Sequence, residues 1–516
     1  MGQTTIPAAV RAAAARFGAS EALVDGALRL DFAGLLERVQ SVARAFVARG
    51  VRPGDRVAVN LPNTSHWVLA ALGASYAGAT LVPVNTRFTG AETVDLLVRG
   101  RARALVVAAD FLGTDRFAGI QAAAGDGLPG LETVVRVPLE GPLVPVAGTL
   151  GWDEFLSRAE RVPLADVEAR ADAVAPDDLS DILFTSGTSG RSKGVLSAHR
   201  QVIDVAAAWA ECGGVTAADR YLVLNPFFHS FGFKAGIVVC LLTGATIVPQ
   251  AVFDVRRTLE LIERERISVL PGAPTVFGSL LHEPGRAARD LSSLRLAVTG
   301  AATVPAALVR RMRSDLGFET VLTAYGLTEA VVVTMCRPGD DADLVARTSG
   351  RATAGFEVAI RGAAGEVTVR GPNVMLGYLD DPESTAKAID EQGWLHTGDV
   401  GVLDAAGNLT ITDRLKDMFI CGGFNVYPAE IEHALTDLDG VRDAAVVGVP
   451  DERLGEVGKA FVVPGERAEL TEEAVLAFCR TRLANYKVPR FVEFVAELPR
   501  NASGKVLKRL LSKEKV

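Results

Sequence analysis

The residues with the clearest chemical potential stand in one stretch, Asp181 to Ser197, which reads DILFTSGTSGRSKGVLS. Ile182, Leu183 and Phe184 form a short apolar run with strand character. The run stops at Thr185, Ser186, Gly187, Thr188, Ser189, Gly190, Arg191, Ser192, Lys193 and Gly194. A Gly, Ser and Thr loop at the carboxyl end of a strand offers backbone N–H groups, hydroxyls and an ammonium to a polyanion, which is what a phosphate requires. A polar surface loop has the same composition. A helical pattern resumes at about Ala198, so the expected unit is strand, loop, helix. Lys193 is followed by Gly194, whereas the Walker loop needs Ser or Thr after Gly-Lys. A phosphate loop of another kind is therefore expected.

Other polar residues stand in short motifs that are ambiguous one at a time. His229 lies between aromatics in NPFFHSFG, Asn225 to Gly232, and an isolated histidine is more often structural than reactive. Gly300, Ala301 and Ala302 follow Thr299 at a strand end, where small residues let a flat base approach the backbone. Glu329 closes the segment TAYGLTE that begins at Thr323. Asp399 closes GWLHTGD, and a carboxylate there can accept hydrogen bonds from two vicinal hydroxyls. Lys505 stands in a basic tail with Lys508, Arg509, Lys513 and Lys515, where a lysine is ordinarily a solvated charge.

Taken in order and spacing, these segments resemble the adenylate-forming superfamily of acyl-CoA synthetases, peptide-synthetase adenylation domains and firefly luciferase, from about Leu23 to the end. The family loop reads T-S-G-T-T-G-x-P-K-G; here Ser189 replaces a Thr and Ser192 the Pro. The resemblance implies ATP, Mg²⁺ and CoA as cofactors. It places Lys505, Glu329, Thr185 and His229 at the reacting groups, with Glu329 on the metal. ATP would be bound by Thr185, Ser186, Gly187, Thr188, Ser189, Gly190, Lys193, Gly300, Ala301, Ala302, Tyr325, Gly326, Thr328, Asp399, Arg414 and Lys505. In it Tyr325 packs on adenine, Thr328 contacts phosphate and Arg414 contacts ribose or phosphate. Lys416 is the hinge, and Gly422 with Gly423 line the CoA tunnel. Asp413 replaces the usual Gly of the segment that holds Lys416, and Phe424 the commoner Glu.

Positioning these residues takes two bodies. Runs such as Arg56 to Leu61, Thr80 to Asn85 and Ala104 to Ala109 alternate with helical patterns, an α/β rhythm that implies a parallel-rich sheet covered by helices. Beyond Gly350 short strands and turns suggest a β-rich subdomain. A boundary is expected at Asp413 to Lys416. It divides a large N-terminal domain, residues 1–413, from a small mobile α/β domain, residues 414–516. The Gly-, Pro- and Val-rich region from about Ala123 to Thr149 is expected to be loop.

Composition bounds the rest. With 516 residues, 49% hydrophobic and 22% charged, the chain is globular and too long for one core. A net charge of -8 argues against nucleic-acid binding. The five cysteines and six histidines show no ligand spacing, and the cysteines suit a reducing, cytoplasmic setting. The amino terminus has no h-region, and the apolar segment Gly236 to Pro249 is too short to span a bilayer, so no integral membrane association is expected.

By resemblance the acyl pocket involves His229, Phe231, Gly300, Val331 and Val332. The run Ala330-Val-Val-Val-Thr offers no cation, so a hydrophobic acid is expected. ILFTSGTSGRSKGVLSAHRQ, LTAYGLTEA and LKDMFICGGFNVYPAEIE are most similar to actinobacterial ligases for the steroid C/D-ring propionate and for polycyclic diterpenoid acids. Alternatives are a medium- or long-chain fatty acid, or an acyl-AMP passed to a carrier protein or partner ligase. A non-catalytic nucleotide-binding regulator would lack Glu329 or Lys505. The resemblance is compatible with a homodimer.

Overall fold

The runs RVAVN and ARALVVA are buried along nearly their whole length, as strands covered on both faces are. The computed structural model describes residues 4–125, 127–185, 192–300, 304–415, 417–421, 424–451, 453–465, 470–483, 485–501 and 504–511. Among them the strands form sheets of nine, eight, four and five.

The nine-stranded sheet contains a parallel run in the order Thr320–Tyr325, Leu296–Gly300, Val269–Pro271, Arg220–Val223, Thr246–Pro249. The carboxyl ends of these strands therefore lie along one edge, where ligands of open α/β sheets bind. The eight-stranded sheet runs Gly377–Tyr378, Lys193–Ala198, Leu179–Thr185, Thr80–Pro83, Arg56–Asn60, Ala102–Ala108, Thr133–Val137, Leu150–Gly151. The helix Ser65–Tyr76 is buried at every residue but His66, as its all-round apolar sequence requires.

The β-rich part after Gly350 is an antiparallel sheet of Glu357–Arg361, Glu366–Arg370, Leu395–Leu403 and Leu409–Arg414. The last sheet is built from residues beyond Asp417 and has a core of its own, in which Ile431 and Leu435 of the helix Pro428–Thr436 meet Val446 and Val462. The Asp413 carboxylate accepts a hydrogen bond from Ala429 N at 3.0 Å, so it caps that helix from across the junction.

Two expectations need correction. The region from Ala123 to Thr149 contains the strand Thr133–Val137, paired in parallel with Ala102–Ala108; its β-branched residues find a covered sheet position despite the Gly and Pro around them. Likewise the phosphate loop does not lead from strand to helix. Lys193–Ala198 is a strand, antiparallel to Leu179–Thr185, and the helix starts only at His199. A two-residue apolar pair, Val195-Leu196, is too short to announce that strand in sequence. The strands on either side of the loop are thus the two arms of a hairpin, and the following helix begins six residues after Lys193.

Candidate active site

The hairpin sets Thr185 opposite Lys193, with the Thr185 hydroxyl donating to Lys193 O at 3.4 Å. Ser186, Gly187, Thr188, Ser189 and Gly190 lie outside the described residues. The exit of the loop is anchored by Arg99, at the end of the helix Gly90–Arg99. Its guanidinium donates to Ser192 O at 2.7 Å and Ser192 Oγ at 2.8 Å, pairs with Asp95 at 2.6 Å, and covers the Phe184 ring at 4.9 Å. The hydroxyl at Ser192 gives Arg99 an acceptor that a proline could not, so stiffness lost from the ring is regained through the guanidinium fork.

Tyr378 joins this hairpin to Glu329. The strand Gly377–Tyr378 pairs with Leu196 and Val195, the Lys193 ammonium sits 4.7 Å from the Tyr378 ring centroid, and the Tyr378 hydroxyl donates to Glu329 Oε1 at 2.8 Å. Burial, and the Glu329 carboxylate beside it, push the Tyr378 pKa well above its ordinary value of 10.0, so the phenol stays a donor. Met375 N donates to Glu329 O at 2.7 Å and fixes the backbone. No group of three His, Cys, Asp or Glu residues that could hold a metal occurs among the described residues. The Glu329 carboxylate, oriented by the Tyr378 hydroxyl, nonetheless fits Mg²⁺, which keeps most of its shell as water and substrate phosphate.

On the carboxyl edge of the nine-stranded sheet, Gly300 and Ala324 are register partners, with Tyr325 next to them. A Cβ on Gly300 would lie 2.6 Å from Ala324 O, and one on Gly326 would lie 1.8 Å from Val331 O, so both positions exclude a side chain. Beside Gly300 the Thr299 hydroxyl is buried with no hydrogen-bond partner among the described residues. Tyr325 donates its hydroxyl to Asp399 Oδ2 at 2.6 Å. Asp399 is buried, and its strand partner in register is Arg414. Thr328 sits on the turn just before Glu329, while Ala301 and Ala302 lie outside the described residues.

His229 follows the strand Arg220–Val223 onto the same edge. Asn63 clamps its segment: Nδ2 donates to Val223 O at 3.1 Å and Asn225 O at 2.9 Å, and Oδ1 accepts from Phe227 N at 2.7 Å. Burial, with the Lys234 ammonium nearby, pushes the His229 pKa down to about 4. The imidazole is therefore neutral at pH 7, and its Nδ1 accepts from Phe231 N at 3.3 Å. Phe231 meets Trp209 edge-on at 5.1 Å, and Phe231 and Val331 pack half-buried on the main core, in which Val332 is buried. Val331 has φ 62, a strained value for a β-branched residue.

Lys505 lies on a tight turn after the last sheet. A Cβ on the preceding Gly504 would stand 3.6 Å from Ala273 Cβ, just beyond the strand Val269–Pro271. The lysine's turn thus meets the edge that also carries Gly300, Tyr325 and the His229 segment. Lys416, Gly422 and Gly423 lie outside the described residues. Sequence reasoning missed Tyr378, Arg99, Asn63 and Lys234. All four act through partners distant in sequence, and only the aromatic in Gly377-Tyr378 carried any local signal.

Residues 10–379 match the family of AMP-binding enzymes and residues 430–505 the AMP-binding enzyme C-terminal domain. The chain is 60% identical, over 99% of both chains, to the 3-[(3aS,4S,7aS)-7a-methyl-1,5-dioxo-octahydro-1H-inden-4-yl]propanoyl:CoA ligase of Rhodococcus jostii (strain RHA1). It is 57% identical to the ligase of the same name from Mycobacterium tuberculosis (strain ATCC 25618 / H37Rv), over 98% of this chain and 97% of that one. Among solved structures it is similar to ATP-bound MatB from Rhodopseudomonas palustris, with a TM-score of 0.85 at 30% identity, covering 99% of this chain and 98% of that one.

Proposed function

This chain belongs to the AMP-binding enzyme family, and we propose that it is an ATP-dependent acid:CoA ligase whose acid is a propionate carried on a fused, oxygenated ring system. The observation that carries this reading is the 60% identity, over 99% of both chains, with the Rhodococcus ligase of that chemistry. ATP, Mg²⁺ and CoA are its cofactors.

In the first half-reaction a carboxylate oxygen of the acid bonds to the α-phosphorus and pyrophosphate leaves. In the second the CoA thiol attacks the acyl carbon and AMP leaves with the electron pair. Thr185, Lys193 and the loop Ser186 to Gly190 take the phosphates, with Thr328 alongside. Lys505 holds the acid's carboxylate and the α-phosphate together, a preorganised charge where negative charge develops. Glu329, held by Tyr378, would carry Mg²⁺, which supplies charge neutralisation on the departing phosphates. Tyr325 takes the face of adenine, and Asp399 and Arg414 take the ribose side. The neutral His229 orients the acid. It has no proton to remove, because a carboxylic acid is already ionised at pH 7.

Residues 1–413 form the nucleotide and acyl body in this reading, and residues 414–516 a mobile one turning at Lys416 to bring Gly422 and Gly423 to the thiol. Among the described residues no helix is long and apolar enough to cross a membrane. All five cysteines are free and buried, which suits a reducing cytoplasm. The test is pyrophosphate release from MgATP over a panel of fused-ring, aryl and linear acids, followed by mass detection of the CoA thioester. Fused-ring propionates should give the highest kcat/KM, and CoA alone should suffice as acceptor. Preference for linear acids would overturn the substrate, and an adenylate that accumulates without thioester would overturn CoA ligation.

A further inference from the structure

Lys505 sits in a turn whose shape is fixed locally. Asn501 N donates to Lys505 O at 2.8 Å, Lys505 N donates to Asn501 Oδ1 at 2.8 Å, and Gly504 N donates to Asn501 O at 3.0 Å, closing a bridge between Arg500 and Val506. Those bonds set the turn's form but not where it stands on the protein.

Placement comes from Arg500. Its Nη1 donates back to Gly504 O, one residue before the lysine, and its Nη2 pairs with Asp443 Oδ2 on the strand Val441–Asp451. One guanidinium thus bridges the turn to the sheet, which the fixed fork of arginine allows and a single ammonium does not. At 23% and 31% side-chain exposure the pair is partly shielded from water. A second tie follows the lysine. Lys508 Nζ meets Glu432 Oε1 at 2.7 Å, and the same oxygen accepts from Val446 N at 2.7 Å. Between the ties Leu498, Val506 and Leu511 pack on Ala445, Val447, Phe461 and Val463.

We propose that the Arg500–Asp443 pair is a positioning clamp that presents Lys505 for the nucleotide-transfer half-reaction and takes no part in thioester formation. The proposal rests on the reading of Lys505 given above. Arg500 holds the lysine's turn through Gly504 O, and Asp443 acts on it only through Arg500, so their effect is one of placement, and a displacement of about 1 Å can cost about 10²-fold in rate.

The test uses the full chain and its two half-reactions measured apart: ATP/pyrophosphate exchange, and thioester formation from supplied acyl-AMP and CoA. Arg500→Met and Arg500→Lys should each slow exchange tenfold or more with KM for ATP unchanged, and leave the thioester rate within twofold. Exchanging the partners, Arg500→Asp with Asp443→Arg, should restore part of the exchange rate lost in Asp443→Arg alone. Lys505→Ala is the control. If it separates the half-reactions and Arg500→Met does not, the clamp is wrong and the role of Lys505 stands. If Lys505→Ala slows both equally, the role of Lys505 falls and the clamp with it. A loss in Arg500→Met shared by both half-reactions would mark a merely structural pair and also overturn the clamp.

Discussion

Lys234 and Asp181 form an ion pair of 2.9 Å with side-chain exposures of 1% and 0%, and the Lys234 ammonium also donates to Ser197 Oγ at 2.8 Å. Asp181 belongs to the strand that ends at Thr185, Ser197 to the returning strand of the hairpin, and Lys234 to the wide-turned helical segment Phe233–Val238 that follows His229. The pair therefore locks that hairpin to the segment that follows His229. Burial raises the Asp181 pKa and Lys234 opposes the rise, so the Asp181 charge depends on its partner.

Removing one member should strand the other. Lys234→Met is expected to cost about 3–5 kcal/mol of stability, seen as a lowered urea midpoint. Lys234→Met combined with Asp181→Leu should recover most of that loss. A single substitution costing under about 1 kcal/mol would mean that water or another cation reaches Asp181.

Tyr378→Phe keeps the ring under Lys193 and deletes only the hydrogen bond to Glu329. Hydrogen bonds to charged groups contribute about 1.5–3 kcal/mol, so adenylation should slow by roughly 10- to 100-fold and require more Mg²⁺ for half-maximal rate. Titrating Mg²⁺ in the exchange assay checks this. An unchanged Mg²⁺ requirement would detach Tyr378 from the metal site.

Lys505→Ala should slow acyl-AMP formation by about 10²–10³-fold and spare thioester formation from supplied acyl-AMP. Lys416→Pro should do the reverse if Lys416 is the hinge proposed above, because proline fixes φ and would oppose the rotation. Single-turnover measurement of each half-reaction distinguishes the two patterns.

His199 is buried, accepts a hydrogen bond from Ile6 N at 3.3 Å, and has its pKa pushed by burial from 6.5 to about 4. Between those values the unfolded chain binds the extra proton and the folded chain does not. Its contribution is therefore complete above pH 6.5 and is lost as pH falls towards 4, by about 3 kcal/mol in all. His199→Asn, which keeps an acceptor for Ile6 N, should flatten that part of the stability curve. Denaturant midpoints between pH 4 and 7 would show an unchanged slope if burial of the ring is not the cause.

What could be read in sequence was local. Thr185, Glu329, Asp399 and Lys505 stand in short motifs that single them out only when taken together in order and spacing. The strand Thr133–Val137 was hidden because its Gly- and Pro-rich neighbours outweigh a five-residue apolar run. Lys193–Ala198 was hidden because its pairing partner, not its composition, makes it a strand. Arg99, Asn63 and Lys234 could not be singled out at all. Their roles come from contacts 93, 160 and 37 positions away in the chain, which no local spacing encodes.

The bond from Ala429 N to the Asp413 carboxylate has a thermodynamic implication. A glycine at that position would leave the helix end free, whereas here any swing that carries the Pro428–Thr436 helix away must first surrender a charged cap. If residues 414–516 turn as proposed above, that bond would favour the arrangement described by about 1.5–3 kcal/mol, and CoA binding would have to offset the difference.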